Sequence, residues 1–333
     1  MRKNQLIAPL VALVLLVWVI ARVGLPTIIA ELKAMRVALP IVLALSVLRL
    51  FLQTLTWSAS LRGEDVSVGI KRLMGVRLAA QSMGYLTVLG PVISEPMKIK
   101  LLGTAAEPTI TATFLDDGVY WFTSALLAMA GIASLPLVAV HGEAYHSIPA
   151  ALVLAFAVFI IRRRTPLLSG LVHAVGTRHP AWLARAERIE ASIRAYRLNQ
   201  PALVRRMFWI DAACQVLTAS EVVVVLQSLH LPIHFVAVLA IEGMTRALKM
   251  ISGWIPARLG SDEGGAISAF ALTGLSPMLG LSLALTRRIR DLLWALIGIV
   301  WLAWSSPSLS HGTDIGANEQ ATVLKEALEC KQS

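Results

Sequence analysis

Two interrupted apolar stretches constrain this chain more than any other feature. The first reads Leu89-Gly90-Pro91-Val92-Ile93-Ser94-Glu95-Pro96, and the second runs from Trp254 through Pro256, Arg258, Gly260, Ser261, Asp262 and Glu263 to Gly265. Each places proline and glycine, which break regular backbone pairing, and then a glutamate in surroundings that otherwise look like membrane. Such backbone and such carboxylates persist at membrane depth only where protein or water, not lipid, surrounds them. Paired broken segments in the two halves of a multispanning chain point to a transport site.

Composition supports the membrane reading. The chain has 333 residues, 56% hydrophobic and 15% charged, whereas a soluble domain carries roughly 25% charged residues. Its net charge of +10 sits in the gaps between apolar runs. That is the pattern of cytoplasmic loops facing anionic lipid, and it argues against nucleic acid as a partner. Cys214 and Cys330 have neither a metal-ligand spacing nor a disulfide partner in view.

A span needs about 20 apolar residues. On that measure the sequence predicts spans at Ile7–Val23, Val37–Ser60, Pro108–Ala133, Ile148–Ile161, Phe208–Leu229 and Ile233–Ile251, and a last long run from Pro277 to Trp304. The stretch Leu73–Ile93 ends in the first broken segment, and Gly253–Ala271 holds the second. The expected fold is therefore all-α: a polytopic transmembrane bundle of about seven spans plus two re-entrant or broken helices, with a weak internal repeat.

Arg2, Lys3, Arg62, Lys71, Arg72, Lys98, Lys100 and Arg162-Arg163-Arg164 are expected on the cytoplasmic side of the inner membrane, with the N-terminus. The gaps Leu135–Ser147 and His230–His234 hold no Lys or Arg and are expected outside. This orientation requires the first broken segment to enter and leave on one side. Between Arg162 and Arg206, Trp182, Ala186, Ile189, Ile193 and Tyr196 recur at helical spacing among arginines, the pattern of an amphipathic connector on the inner surface. The membrane domain is expected to cover 1–305 and a short polar tail 306–333; Lys325 and Lys331 do not fix the tail's side.

Ionisable residues inside these spans are Arg49, Asp116, Asp117, Glu221, Glu242, Arg246, Arg287, Arg288, Arg290 and Asp291. Each costs about 2.5–3.5 kcal/mol at the bilayer centre even on the lenient scale, so they must pair or face a watery cavity. Glu242 with Arg246, and Arg288 with Asp291, share helix faces by spacing. Asp116 and Asp117 have no local cation, and Arg287, Arg288 and Arg290 are the expected counter-charges. Arg49 and Glu221 read as single polar contacts. Each charged cluster follows its half's broken-segment glutamate at a similar interval, with Trp121 and Trp294 at comparable places.

His141-Gly142-Glu143 with His146 lacks metalloprotease spacing and reads as an outer loop. No G-x-x-x-x-G-K-[ST], G-x-S-x-G or paired-cysteine pattern occurs, so neither a cofactor nor a metal is expected.

The Pro91…Glu95 element, Asp117, and Pro256…Gly260…Asp262-Glu263-Gly264-Gly265 followed by Arg287-Arg288-Ile289-Arg290-Asp291-Leu292-Leu293 resemble the lysylphosphatidylglycerol synthase transmembrane, or flippase-like, family. With Glu221 and Ile241-Glu242, the pattern looks most like its hopanoid-associated branch. The resemblance covers about residues 5–305. It departs at Asp116-Asp117, where many relatives have an acidic–arginine pair, and at Ser94, where many have glycine. Founding members fuse this region to a soluble aminoacyl-transferase domain, which this sequence lacks, so the resemblance implies lipid handling without aminoacyl transfer.

The expected function is movement of a lipid headgroup (phospholipid, hopanoid or polyprenyl type) through a hydrated groove. The expected path is formed by Pro91, Glu95, Asp116, Asp117, Glu242, Arg246, Pro256, Gly260, Glu263, Arg288, Arg290 and Asp291. The alternatives are a membrane-embedded lipid-modifying enzyme, and a non-transporting subunit of a lipid synthesis or export complex. Membrane lipids are the expected partners, with lipid-biosynthesis or export proteins beside them.

Overall fold

The computed structural model describes residues 35–87, 90–104, 106–138, 199–231, 234–252 and 255–329, with single positions at 14, 17, 191 and 195, and side chains to residue 305. Among the described residues every regular element is helical: α1 (Ala38–Gly63), α2 (Ile70–Leu86), α3 (Gly90–Leu102), α4 (Ala106–Val138), α5 (Pro201–Ser228), α6 (Phe235–Ile251), α7 (Ser261–Leu272) and α8 (Pro277–Glu329), with a 3₁₀ turn at Pro256–Arg258. The chain is an all-α membrane helix bundle.

Three helices, α1, α4 and α5, are long and apolar enough to cross a membrane. Their hydroxyls are absorbed by their own backbone: Ser46 donates to the Leu43 carbonyl, Thr54 to Leu50 and Thr218 to Cys214. That is how polar side chains are accommodated where water is absent. α6 has 17 residues, and α8 is interrupted by the charges of residues 287–291. The expected spans Ile7–Val23 and Ile148–Ile161 fall, but for single positions, outside the described residues, as does the amphipathic connector as far as residue 198. Its last part, Pro201–Arg206, is already helix α5, so that span starts earlier than its hydropathy indicates. Proline sits at the first position of the helix, where its missing N–H costs nothing. Leu203 and Val204 then pack on Leu115, Val119 and Met207.

α2 and α3 form a helical hairpin. Arg72, in the first turn of α2, donates to the carbonyl of Leu102 at the end of α3 (3.0 Å), so the two ends lie side by side. At about 1.5 Å per residue, the 17 residues of α2 and 13 of α3 give arms of about 25 and 20 Å. Both are short of the ~30 Å hydrocarbon core. The break falls between Leu86 and Gly90, before Pro91, so Pro91 and Glu95 belong to the returning arm.

In the second half, α6 ends at Ile251 and the chain passes through the 3₁₀ turn into the 12-residue α7. Gly274, at φ +75°, reverses it into α8. The arms of this second hairpin touch at Gly280, where an added Cβ would stand 2.5 Å from the Ala266 carbonyl oxygen. α8 then runs on along α2. One apolar core gathers Trp57, Leu73, Val76, Leu86 and Ile299 around the first hairpin; a second gathers Val222, Ile241, Phe270 and Leu283 around the other.

Candidate functional site

Between the two hairpins lies a cavity of about 320 Å³, walled by α1, α2, α3, α4, α6, the 3₁₀ turn and α8. Its charged lining is uneven. Arg49, Arg77, Lys98, Arg246, Lys249, Arg258 and Arg290 face it, against the carboxylates Glu95, Asp117 and Asp291. Seven cations against three anions leave four positive charges in excess.

The cations are held in place mostly by carboxylates set behind them. Arg77 of α2 binds Asp116 of α4 at 2.9 Å and also donates to the Gln53 carbonyl of α1. Lys98 of α3 bridges Glu95 (2.8 Å) and Asp117 (3.0 Å). The ring of Trp57 lies 5.9 Å from the Arg77 guanidinium and 6.0 Å from the Lys98 ammonium, within cation–π range.

On the other wall, Glu221 of α5 accepts from Arg287 (3.2 Å) and from Arg290, with Arg49 at 3.7 Å. Glu242 accepts from Arg287 (2.6 Å) and Arg246 (3.2 Å). Arg246 also donates to the Tyr120 hydroxyl (3.0 Å), and Arg290 pairs with Asp291 at 2.8 Å. Each carboxylate satisfies several donors, the condition under which buried ions are tolerable.

Lys249 is different: it makes no hydrogen bond or ion pair among the described residues, and Arg258 reaches Asp262 only at 4.0 Å. The Tyr85 hydroxyl, on the same cavity, is likewise without a partner among the described residues. Indole and phenol rings of Tyr85, Tyr120, Trp121 and Trp294 complete the wall.

Of the residues singled out from sequence, Glu95, Asp117, Arg246, Arg290 and Asp291 line this cavity, and Asp116 and Glu242 stand directly behind its cations. Glu263 and Arg288 do not line it. They pair with each other (2.7 Å) at the start of α7. There Gly260, at φ +82°, donates its backbone N–H to the Glu263 carboxylate (3.0 Å), which caps the helix. Arg288 also donates to the carbonyls of Ala257 (3.3 Å) and Arg258 (3.4 Å), bracing two non-glycine residues with φ of +48°. Pro256 opens the 3₁₀ turn and Pro91 the first turn of α3, the two places where the chain breaks.

Several expectations are corrected. The counter-charges of Asp116 and Asp117 are Arg77 and Lys98, not Arg287, Arg288 or Arg290, because the α2–α3 hairpin folds its own cations against α4. Arg288 pairs with Glu263 of α7 instead of Asp291, the cross-helix contact outcompeting the one-turn spacing, and Asp291 pairs with its neighbour Arg290 on the same helix. Lys98 lies within helix α3, not in a loop, and is 4% exposed. Glu221, expected as a single contact, is the hub of three arginines. Arg77, Lys249 and Asp211 were missed, although each is a charge inside an apolar run, the signal that found the others.

The fold and the site together define a helical membrane protein with a polar, positively charged cavity lined by the first broken-helix hairpin, by α1, α4 and α6, and by the 3₁₀ turn and α8 of the second half. Residues 5–298 match the model of the lysylphosphatidylglycerol synthase TM region, and the chain belongs to that family. No curated protein and no solved structure matches it.

Proposed function

We propose that the protein moves an anionic lipid headgroup across the inner membrane, the acyl or isoprenoid tail remaining in the bilayer. One observation carries this reading: a cavity in the membrane domain whose lining has four cations in excess, among them Lys249, which has no ion pair among the described residues, and Arg258, whose ion pair with Asp262 is long at 4.0 Å. An anion entering there replaces its hydration with side chains already held in position, so little reorganisation is needed. Its first contacts are Lys249, Arg258 and the Tyr85 hydroxyl; Arg77, Arg246 and Arg290 form the deeper wall. Family membership supports a lipid-related role. The headgroup belongs to a phospholipid, a hopanoid-type lipid or a polyprenyl lipid that bears a negative charge.

Reconstitution tests the proposal. Vesicles containing the protein and a headgroup-labelled anionic phospholipid should expose the inner-leaflet label to a membrane-impermeant quencher faster than protein-free vesicles do. Lys249→Gln should slow that exposure. Exposure no faster than in empty liposomes, across anionic headgroups, would overturn it.

A further inference from the structure

Lys249 stands on a partition. On one side it lines the cavity. On the other it lines a second, much smaller void between α6, α7 and α8, of about 10 Å³, close to the size that holds a single water molecule. The other charged residues on this void are Asp262 of α7 and Arg287 of α8. Arg287 is committed to Glu221 and Glu242. Lys249 and Asp262 have no such commitment.

Asp262 is poorly supplied with donors. Its side chain is 14% exposed, and its ion pair with Arg258 is long at 4.0 Å. Its Oδ1 is buried and has no hydrogen-bond partner among the described residues. Ser261, beside it, gives its hydroxyl to the Arg258 carbonyl (3.0 Å). Thr245, on the same void, gives its own to the carbonyls of Ile241 (2.9 Å) and Glu242 (3.0 Å). The uncommitted cation that shares the void with the orphan oxygen is Lys249, and one water spans from one to the other. The two loosely held cations of the cavity, Lys249 and Arg258, thus share a carboxylate that is not itself part of the cavity lining.

A buried carboxylate short of donors draws cations toward itself. An anion in the cavity draws the same two cations the other way, and the flexible four-carbon stem of lysine lets its ammonium serve either side. We infer that Asp262 is a resident counter-ion that competes with the ligand anion for Lys249 and Arg258. It is a positioning residue: it touches no ligand and acts through those two cations. When the anion enters, the cations turn to it. Asp262 is then left in the first turn of α7, where the helix dipole favours a negative charge. When the anion leaves, the carboxylate takes the cations back.

The competition serves transport. A wall with four cations in excess would bind an anion tightly and release it slowly. A conducting site must be favourable enough to fill and weak enough to empty, and Asp262 supplies the second condition. Asp291, the other carboxylate whose field reaches Lys249, does not play this part. It faces the cavity itself and is held by Arg290 at 2.8 Å. This role of Asp262 rests on the anion-transport reading of the cavity.

Calorimetric titration of the full chain in detergent with short-chain phosphatidylglycerol tests the competition. Asp262→Asn should bind the lipid at least about fivefold tighter, within the usual range of coupling between sites. In vesicles saturated with headgroup-labelled phosphatidylglycerol, the same variant should move the lipid more slowly than the wild type. A merely structural aspartate would weaken binding on removal, not tighten it. In a Lys249→Gln background the gain from Asp262→Asn should shrink to about twofold or less, the mark of two coupled residues. Where Asp262→Asn fails to fold, Ser261→Asp decides. A second carboxylate on the same void, at a helix start that tolerates it, should weaken binding about fivefold or more.

Binding by Asp262→Asn no tighter than wild type, or a gain undiminished without Lys249, would overturn the competition and leave the transporter reading standing. So would Ser261→Asp binding as tightly as wild type. Tighter binding by Asp262→Asn, beside wild-type vesicles that move lipid no faster than empty liposomes, would overturn the transporter reading alone. No binding by wild type or any variant would overturn both.

Discussion

At the scale of the residue, Glu221 and Arg287 organise the second half of the bundle, each buried and each serving more than one partner. Removing one member of such a network strands the rest. Glu221→Ala leaves Arg287, Arg290 and Arg49 without their common acceptor and should cost about 3–5 kcal/mol, with Glu221→Gln recovering part of it. Cys214 is a buried free thiol, so thermal unfolding in detergent can be followed by a thiol-reactive dye after Cys330 is replaced by serine. Glu263→Gln is the contrasting case. Its side chain is 16% exposed and pairs with one arginine, so its melting point should fall by less than half as much. The sequence located most of these charges, because any ion in an apolar run is conspicuous. It could not assign their partners, since spacing along a helix ranks only neighbours one turn away. Arg77–Asp116 and Arg287–Glu221 join residues 39 and 66 positions apart, contacts that only the packed bundle specifies.

At the scale of the element, the broken segments were the most legible part of the chain and helix boundaries the least. Proline and glycine marked both breaks to within a few residues, since they change the backbone itself. The start of α5 at Pro201 was hidden because Arg205 and Arg206 interrupt the hydropathy of a helix that continues through them. The close seam between α4 and α6 was also invisible. There Gly131 and Gly243 face each other so tightly that a Cβ on either would lie 2.5 Å from the other's Cα. Small residues that let backbones approach are how membrane helices associate without a hydrophobic driving force. Gly131→Val or Gly243→Val should therefore force the helices apart and lower stability by about 1–3 kcal/mol or more. Gly118, on the same α4, has nothing within 4 Å of an added Cβ, and Gly118→Ala should be neutral or gain up to about 1 kcal/mol from helix propensity. Melting curves of the three variants would decide it. Equal losses at all three positions would mean that the seam is not the cause.

At the scale of the molecule, the carboxylates and cations of the bundle are sorted in depth. Glu221, Glu242, Asp116 and Asp211 are all buried away from the chamber, whereas Arg49, Arg77, Arg246 and Arg290 present themselves to it. A nearly balanced set of charges thereby produces an interior that is positive where a ligand would sit, and low-dielectric walls sharpen that field. Gln81 lies on this lining and is exposed, which makes it a probe position that removes no charge. With Cys214 and Cys330 replaced by serine, Gln81→Cys should react with an anionic thiosulfonate about tenfold or more faster than with a cationic one of similar size at low ionic strength. The ratio should shrink as salt is raised and screening sets in over about 10 Å at 0.1 M. Adding Lys249→Gln and Arg258→Gln removes two of the four excess charges and should bring the ratio substantially toward one, while Arg62→Gln, at the end of α1 and outside the lining, should leave it unchanged. Equal rates for both reagents in the unsubstituted background would mean that the sorting in depth does not reach the chamber, and an anionic headgroup would then have no reason to prefer it.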